Sequence, residues 1–175
     1  MTTTQGLEGK STSAGADQDP WELSFKGKRV VIGLGNPYMR DDGVGTLVAE
    51  ELRRRELAGV VVYDCQALDL SLLWQFRDAS KVVVVDAVAS GGVAGSISTY
   101  AIKPRGGSLL ELPSLHSLQL FDLFDLAGQN GTLPCPVTIV GVEPKDCSPG
   151  EGLTEEVSAA IPRLVDSVIR ELEAR

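Results

Sequence analysis

The stretch RVVIGLGNPYMRDDGVG, residues 29–45, decides the fold. It opens with Val30, Val31 and Ile32, a continuous β-branched run of the kind found in strands buried on both faces. Gly33, Gly35 and Asn36-Pro37 then turn the chain. Past Asp41-Asp42, residues 43–57 read as a helix, with Val44, Leu47, Val48 and Leu52 on one face. Strand, glycine turn and helix in that order begin a parallel βα unit.

The same pattern continues along the chain. VVVYDC (60–65), KVVVVDAV (81–88) and VTIVGVEP (137–144) predict further buried strands. Helical spacing covers 68–77, 115–127 and 154–173; Pro162 in the last should kink it. SISTYAI (96–102) follows 81–88 across Gly91-Gly92, too closely for a helical crossover, and predicts an antiparallel hairpin partner. Residues 103–115 read as loop. The expected fold is therefore α/β: a three-layer α/β/α sandwich around a mostly parallel, twisted five-stranded sheet with one antiparallel strand. Residues 1–25 are polar, rich in Gly, Ser and Thr, and without apolar period, which predicts a disordered tail ahead of one domain over 26–175.

Composition narrows the function. The chain has 175 residues, enough for one real core. A formal net charge of −8 argues against a nucleic-acid partner, since phosphate binding needs a basic surface. No apolar run approaches the roughly 20 residues that span a bilayer, and no secretory leader is legible. Three cysteines (Cys65, Cys135, Cys147) at unpatterned spacing suggest neither a disulfide framework nor a CxxC metal site. A monomer in a reducing cytoplasm is the expectation.

In parallel sheets, ligands bind beyond the carboxyl ends of the strands. Three strands deliver polar residues there: Asp41-Asp42 after the first, Asp64-Cys65-Gln66 after the second, and Asp86 at the end of the third. One aspartate could cap the helix at 43, which leaves its neighbour spare. Asp86 ends the most apolar strand, where a carboxylate is costly unless bonded or paired. The structural alternative for it is a hydrogen bond to the glycine turn at 33–35. His116, the only histidine, stands at the start of a helix and could be a cap or a ligand. Two carboxylates and an imidazole would make an open site for a divalent metal with room for water or substrate.

Other constellations fit less well. HExxH chemistry needs two histidines, and no GxSxG elbow exists. The glycine turn lacks the third glycine of a dinucleotide fingerprint. A Cys65–His116 dyad is conceivable, although a cysteine closing a strand is commonly packing.

GLGNPYMRDDGVG, then VVVVDAV, then a histidine in the Ser114-Leu115-His116 context, together resemble the hydrogenase maturation proteases, and the likeness extends through GVEP to the closing helix over about residues 28–173. The resemblance implies an endopeptidase that removes the C-terminal extension of a nickel-iron hydrogenase large-subunit precursor after nickel insertion. It implies Asp42, Asp86 and His116 as the metal-contacting and catalytic residues. The nickel would be supplied by the precursor rather than held permanently. Asp41 would cap the helix. After the second strand the family commonly has Asp-Gly-Gly-Thr, tied to substrate choice. Here Asp64, Cys65 and Gln66 stand there, a departure that bears on which hydrogenase is processed. Two other readings stay open: a non-catalytic chaperone using the same trio to sense nickel, and a peptidyl-tRNA hydrolase. The latter shares the GLGNP turn but needs an Asn-His pair soon after it, and an acidic surface repels tRNA.

Overall fold

A computed structural model describes residues 25–102, 122–124, 126–127 and 136–174. Its sheet is built from β1 (Arg29–Leu34), β2 (Val60–Cys65), β3 (Lys81–Ala87), β4 (Ile97–Ile102) and β5 (Val137–Val142), in the order β2-β1-β3-β5-β4. All neighbours are parallel except β4 and β5. The helices are α1 (Val44–Arg54), α2 (Leu70–Gln75) and α3 (Glu155–Glu173), and a 3-10 turn, Arg40–Gly43, leads into α1. Residues 122–124 and 126–127 are also helical. None of the helices among the described residues is long and apolar enough to cross a membrane.

Side chains alternate across each strand, and the two resulting faces make two cores. Val30, Ile32, Val82, Val84 and Ile139 pack with Leu73 and Phe76 around α2, and with Phe124 and Ala127. Val31, Val83, Val85, Val140 and Val142 pack on the other face under α1 and α3. Here Val44, Val48 and Leu52 of α1 meet Val157, Leu164, Val165, Val168 and Leu172 of α3. Full burial of each such side chain stabilises by roughly 1.5–3 kcal/mol, so the valine runs of β1 and β3 set the layering. Phe25 is already inside, its ring 4.7 Å from that of Phe76.

One expectation changes. Strand 96–102 is antiparallel, but it pairs with β5, not with β3. β5 is inserted between them, pairing Asp86 with Gly141, because a strand buried at every position, with Thr138 its one polar side chain, belongs in the middle of the sheet. The half-exposed ISTYAI takes the edge. α3 runs across Pro162 to Glu173. Pro162 is exposed, so the carbonyl it leaves without an N–H partner lies on the solvent side.

Topology places the site. The chain leaves β1 in one direction toward β2 and returns past it to β3, so β1 and β3 flank the switch point where open sheets leave a crevice. Gly45 lets α1 start inside that crevice: a Cβ there would collide with the Leu34 backbone and come within 2.5 Å of the Val85 carbonyl oxygen. Gly35, at φ 140°, passes so close to the Asp42 carbonyl that no side chain fits. Both contacts hold the Asp41-Asp42 turn against the ends of β1 and β3.

Candidate active site

Asp42 and Asp86 meet at this edge. Asp42 lies in the 3-10 turn, and its Oδ2 accepts a 2.8 Å hydrogen bond from the Asn36 backbone N–H. Asp86 is 8% exposed and, by strand alternation, faces the same side as Val82 and Val84. Its Oδ1 accepts from the Ala87 N–H at 2.9 Å, not from the glycine turn. Burial, and then the negative charge of Asp42, push the Asp86 carboxyl up to about 7 against the single opposing bond from Ala87. A buried carboxylate raised by a second carboxylate at the mouth of a crevice is the arrangement expected of a catalytic or metal-binding pair.

His116 lies outside the described residues, as does Cys135, so the structure brings together two members of the trio. Among the described residues no three His, Cys, Asp or Glu side chains converge to hold a metal. The donor chemistry of the pair still suits a divalent cation, which would relieve the repulsion that lifts Asp86.

Asp41 does something else. It is fully buried, and neither the 3-10 turn nor α1 has a side-chain cap, so the expected capping role does not hold. Instead its Oδ2 accepts from Lys145 N (2.9 Å), Asp146 N (3.0 Å) and Thr154 Oγ1 (2.9 Å), and its Oδ1 from Thr154 N (2.7 Å). Burial alone would raise this carboxyl; the bonds from Asp146, Thr154 and Lys145 outweigh it and hold the pKa below the ordinary Asp value. The loop after β5 offered a denser set of donors than the first turn of α1.

Glu143 is a second buried hub, and the sequence reading missed it. At 7% exposure it accepts from Ser90 N (2.8 Å), Ser90 Oγ (2.6 Å) and Gly91 N (3.1 Å), and so ties down the loop that follows Asp86. Burial works against its charge, but the Ser90, Gly92 and Gly91 bonds leave its pKa lowered. The signal was present: GVEP puts an acid at the end of an apolar strand, just as VVVVD does.

The segment after β2 divides between the two faces. Asp64 contacts Arg53 of α1 in an exposed ion pair. Cys65 packs against the opposite core, the side Asp86 faces, and Gln66 is exposed. Burial, then the charges of Asp64 and Asp69, push the Cys65 thiol up to about 11. Cys147, in the loop held by Asp41, is likewise pushed up to about 11, by burial and then by Asp42, Asp41 and Asp146. Both thiols stay protonated near neutrality, which speaks against either as a nucleophile. Beside the Asp42 turn, a groove of about 270 Å³ opens among Tyr38, Gly43, Leu47 and Leu153.

Comparison with known proteins decides the family. The sequence profile described as hydrogenase maturation protease matches residues 46–171. The chain belongs to the hydrogenase maturation protease family. The hydrogenase 2 maturation protease of Escherichia coli K12 is 27% identical over 146 residues, covering 82% of this chain and 89% of that protein. Protein FrxA of Pyrococcus furiosus is 34% identical over 145 residues, covering 77% of this chain and all of FrxA. Among solved structures, a hydrogenase 2 maturation peptidase from a Thaumarchaeota archaeon superposes with a TM-score of 0.65 at 31% identity, over 83% of this chain and 97% of that one. The E. coli endopeptidase HybD has the same fold, with a TM-score of 0.69 at 24% identity over 83% and 92% of the two chains. As a hydrogenase maturation protease, the protein is a peptide-bond hydrolase.

Proposed function

We propose that this hydrogenase maturation protease removes the C-terminal extension of a nickel-iron hydrogenase large-subunit precursor once nickel has been inserted, and that it reads the inserted metal with Asp42, Asp86 and His116. The supporting observation is the buried Asp86 carboxyl, lifted to about 7 by burial and by Asp42 at the β1/β3 switch point. Such a pair is unfavourable for the free protein and becomes favourable when a cation arrives. That suits a site waiting for metal carried by another protein.

Asp42 and Asp86 would bind the precursor's nickel as carboxylate ligands and His116 as an imidazole ligand. The metal supplies Lewis acidity at the scissile carbonyl. With both described thiols protonated, water is the fitting nucleophile. Asp64 and Cys65 at the end of β2, with Gln66 just past it, would distinguish one precursor from another. The protein would act as a monomer in the cytoplasm, in keeping with the free thiols of Cys65 and Cys147.

The test is release of a C-terminal peptide from the cognate precursor, seen as a mass shift, with and without nickel loading. Cleavage of the nickel-loaded form alone is expected. Equal cleavage of the nickel-free form refutes metal recognition, full processing by His116→Ala refutes the site, and binding without any mass shift makes the protein a chaperone.

A further inference from the structure

Among the described residues the Asp42 side chain has one anchor, the bond from Asn36 N, and its direction is set by the backbone of the turn that carries it. That turn is short and strained. Arg40 within it sits at φ 46°, a region that disfavours non-glycine residues and persists only where surroundings impose it. The imposing surroundings are the loop at 145–154. Arg40 N donates to Gly150 O at 2.9 Å, Gly150 N to Tyr38 O at 2.9 Å, and Asp41 N to Asp146 O at 3.1 Å. Arg40 Nε also lies 3.2 Å from an Asp146 carboxylate oxygen.

Every one of these contacts needs the loop to stay where it is, and one side chain gathers the loop from both ends. Asp41 takes the N–H groups of Lys145 and Asp146 at one end, and the N–H and hydroxyl of Thr154 at the other. We propose that Asp41 is a positioning residue for the reaction: by clamping the 145–154 loop onto the turn, it fixes where the Asp42 carboxylate stands. It touches neither precursor nor metal. The inference rests on the reading of Asp42 as a site residue given above.

Asp41→Asn tests it well, because an amide cannot accept on both sides. Keeping its oxygen toward Lys145 and Asp146 turns its NH2 against the Thr154 N–H, donor against donor. Thr154→Val removes only the hydroxyl, and Thr154→Ser restores it. The full-length variants are assayed on the nickel-loaded cognate precursor, with amide hydrogen exchange followed in parallel.

For Asp41→Asn, kcat per folded molecule should fall about 10–100-fold, the scale of a misplacement near 1 Å. KM should change by less than about threefold, since docking surfaces remain. The Lys145, Asp146 and Thr154 amides should exchange faster while those of Val82–Val85 keep their protection. Thr154→Val should lie between Asp41→Asn and wild type, and Thr154→Ser should match wild type. A wild-type kcat in Asp41→Asn overturns the proposal, as does a loss that disappears once corrected for the folded fraction. Should Asp41→Asn fail to fold, equal kcat for Thr154→Val and Thr154→Ser overturns it. A wild-type chain that leaves the precursor whole removes the endopeptidase reading first, and that control tells the two failures apart.

Discussion

Replacing Asp86 by Asn should stabilise the metal-free protein, and by an amount that grows with pH. The Asp86 carboxyl stands at about 7 in the fold against an ordinary 3.8. Because the folded-state value is raised, the folded protein binds more protons than the unfolded chain between those two values. Stability therefore falls as pH rises through this window and levels off above about 7. Each unit between the two pKa values corresponds to about 1.4 kcal/mol, so the charged form costs up to about 4 kcal/mol at pH 8 and roughly 1–2 kcal/mol at pH 5. Asparagine keeps an oxygen for the Ala87 N–H and removes the charge that burial and Asp42 oppose. Urea unfolding in the presence of a chelator at pH 5 and pH 8 should show Asp86→Asn ahead of wild type at both. Its lead should widen by about 2–3 kcal/mol at the higher pH. A variant no more stable than wild type at pH 8, or a lead independent of pH, would refute the claim that Asp86 is held against its own solvation. Processing of precursor should be lost in the same variant, the usual trade between stability and a working site.

Glu143→Gln should cost about 1–3 kcal/mol, since an amide cannot accept all the donors of Ser90, Gly91 and Gly92; denaturant unfolding and faster exchange in residues 88–96 report it. Glu143 and Asp41 both have lowered folded pKa values, so their contribution is present above the ordinary carboxylate range and is lost as pH falls through the folded values; a wild-type acid titration should unfold below about pH 4 with these two loops opening first in exchange. Gly45→Ala should destabilise by about 1–3 kcal/mol or prevent folding, because its methyl group meets the Leu34 and Val85 backbones; thermal unfolding checks this. Asp64→Asn breaks an exposed pair with Arg53 and should change stability by less than about 1 kcal/mol; if the end of β2 selects the precursor, its effect shows instead in kcat/KM across precursors of different hydrogenases.

Much of the fold was legible because the decisive residues are local. β-Branched runs at 30–32, 82–85 and 137–140 are buried at every position, and no arrangement but a covered sheet accommodates them. The place of β4 was not legible. Local chain length favours pairing 96–102 with the strand just before it, whereas the sheet gains more by inserting the fully buried β5 beside β3, a comparison no local pattern contains. The site divides in the same way. Asp42 and Asp86 were expected near the carboxyl ends of β1 and β3, and they lie there. Asp41 was assigned to the nearest donors, those of α1, while its actual partners lie 104–113 positions away in sequence.

The four acids at this edge differ in how far their oxygens are satisfied, and that difference separates framework from site. Asp41 and Glu143 collect backbone and hydroxyl donors from loops, and their charge is stabilised despite burial. Such groups are structural: most of their hydrogen-bonding capacity is taken up by the fold, and little is left to offer a ligand. Among the described residues Asp86 accepts one bond, from its own neighbour; it faces the charge of Asp42, and has its pKa raised. Among the described residues, Asp41 receives four donors and the Asp86 carboxylate one, at the mouth of the crevice. The deficit is what a cation brought by a partner would fill, whereas Asp41 already holds four donors. The two saturated acids hold the loops that flank the unsaturated pair, so the stable half of the edge keeps the unstable half in place.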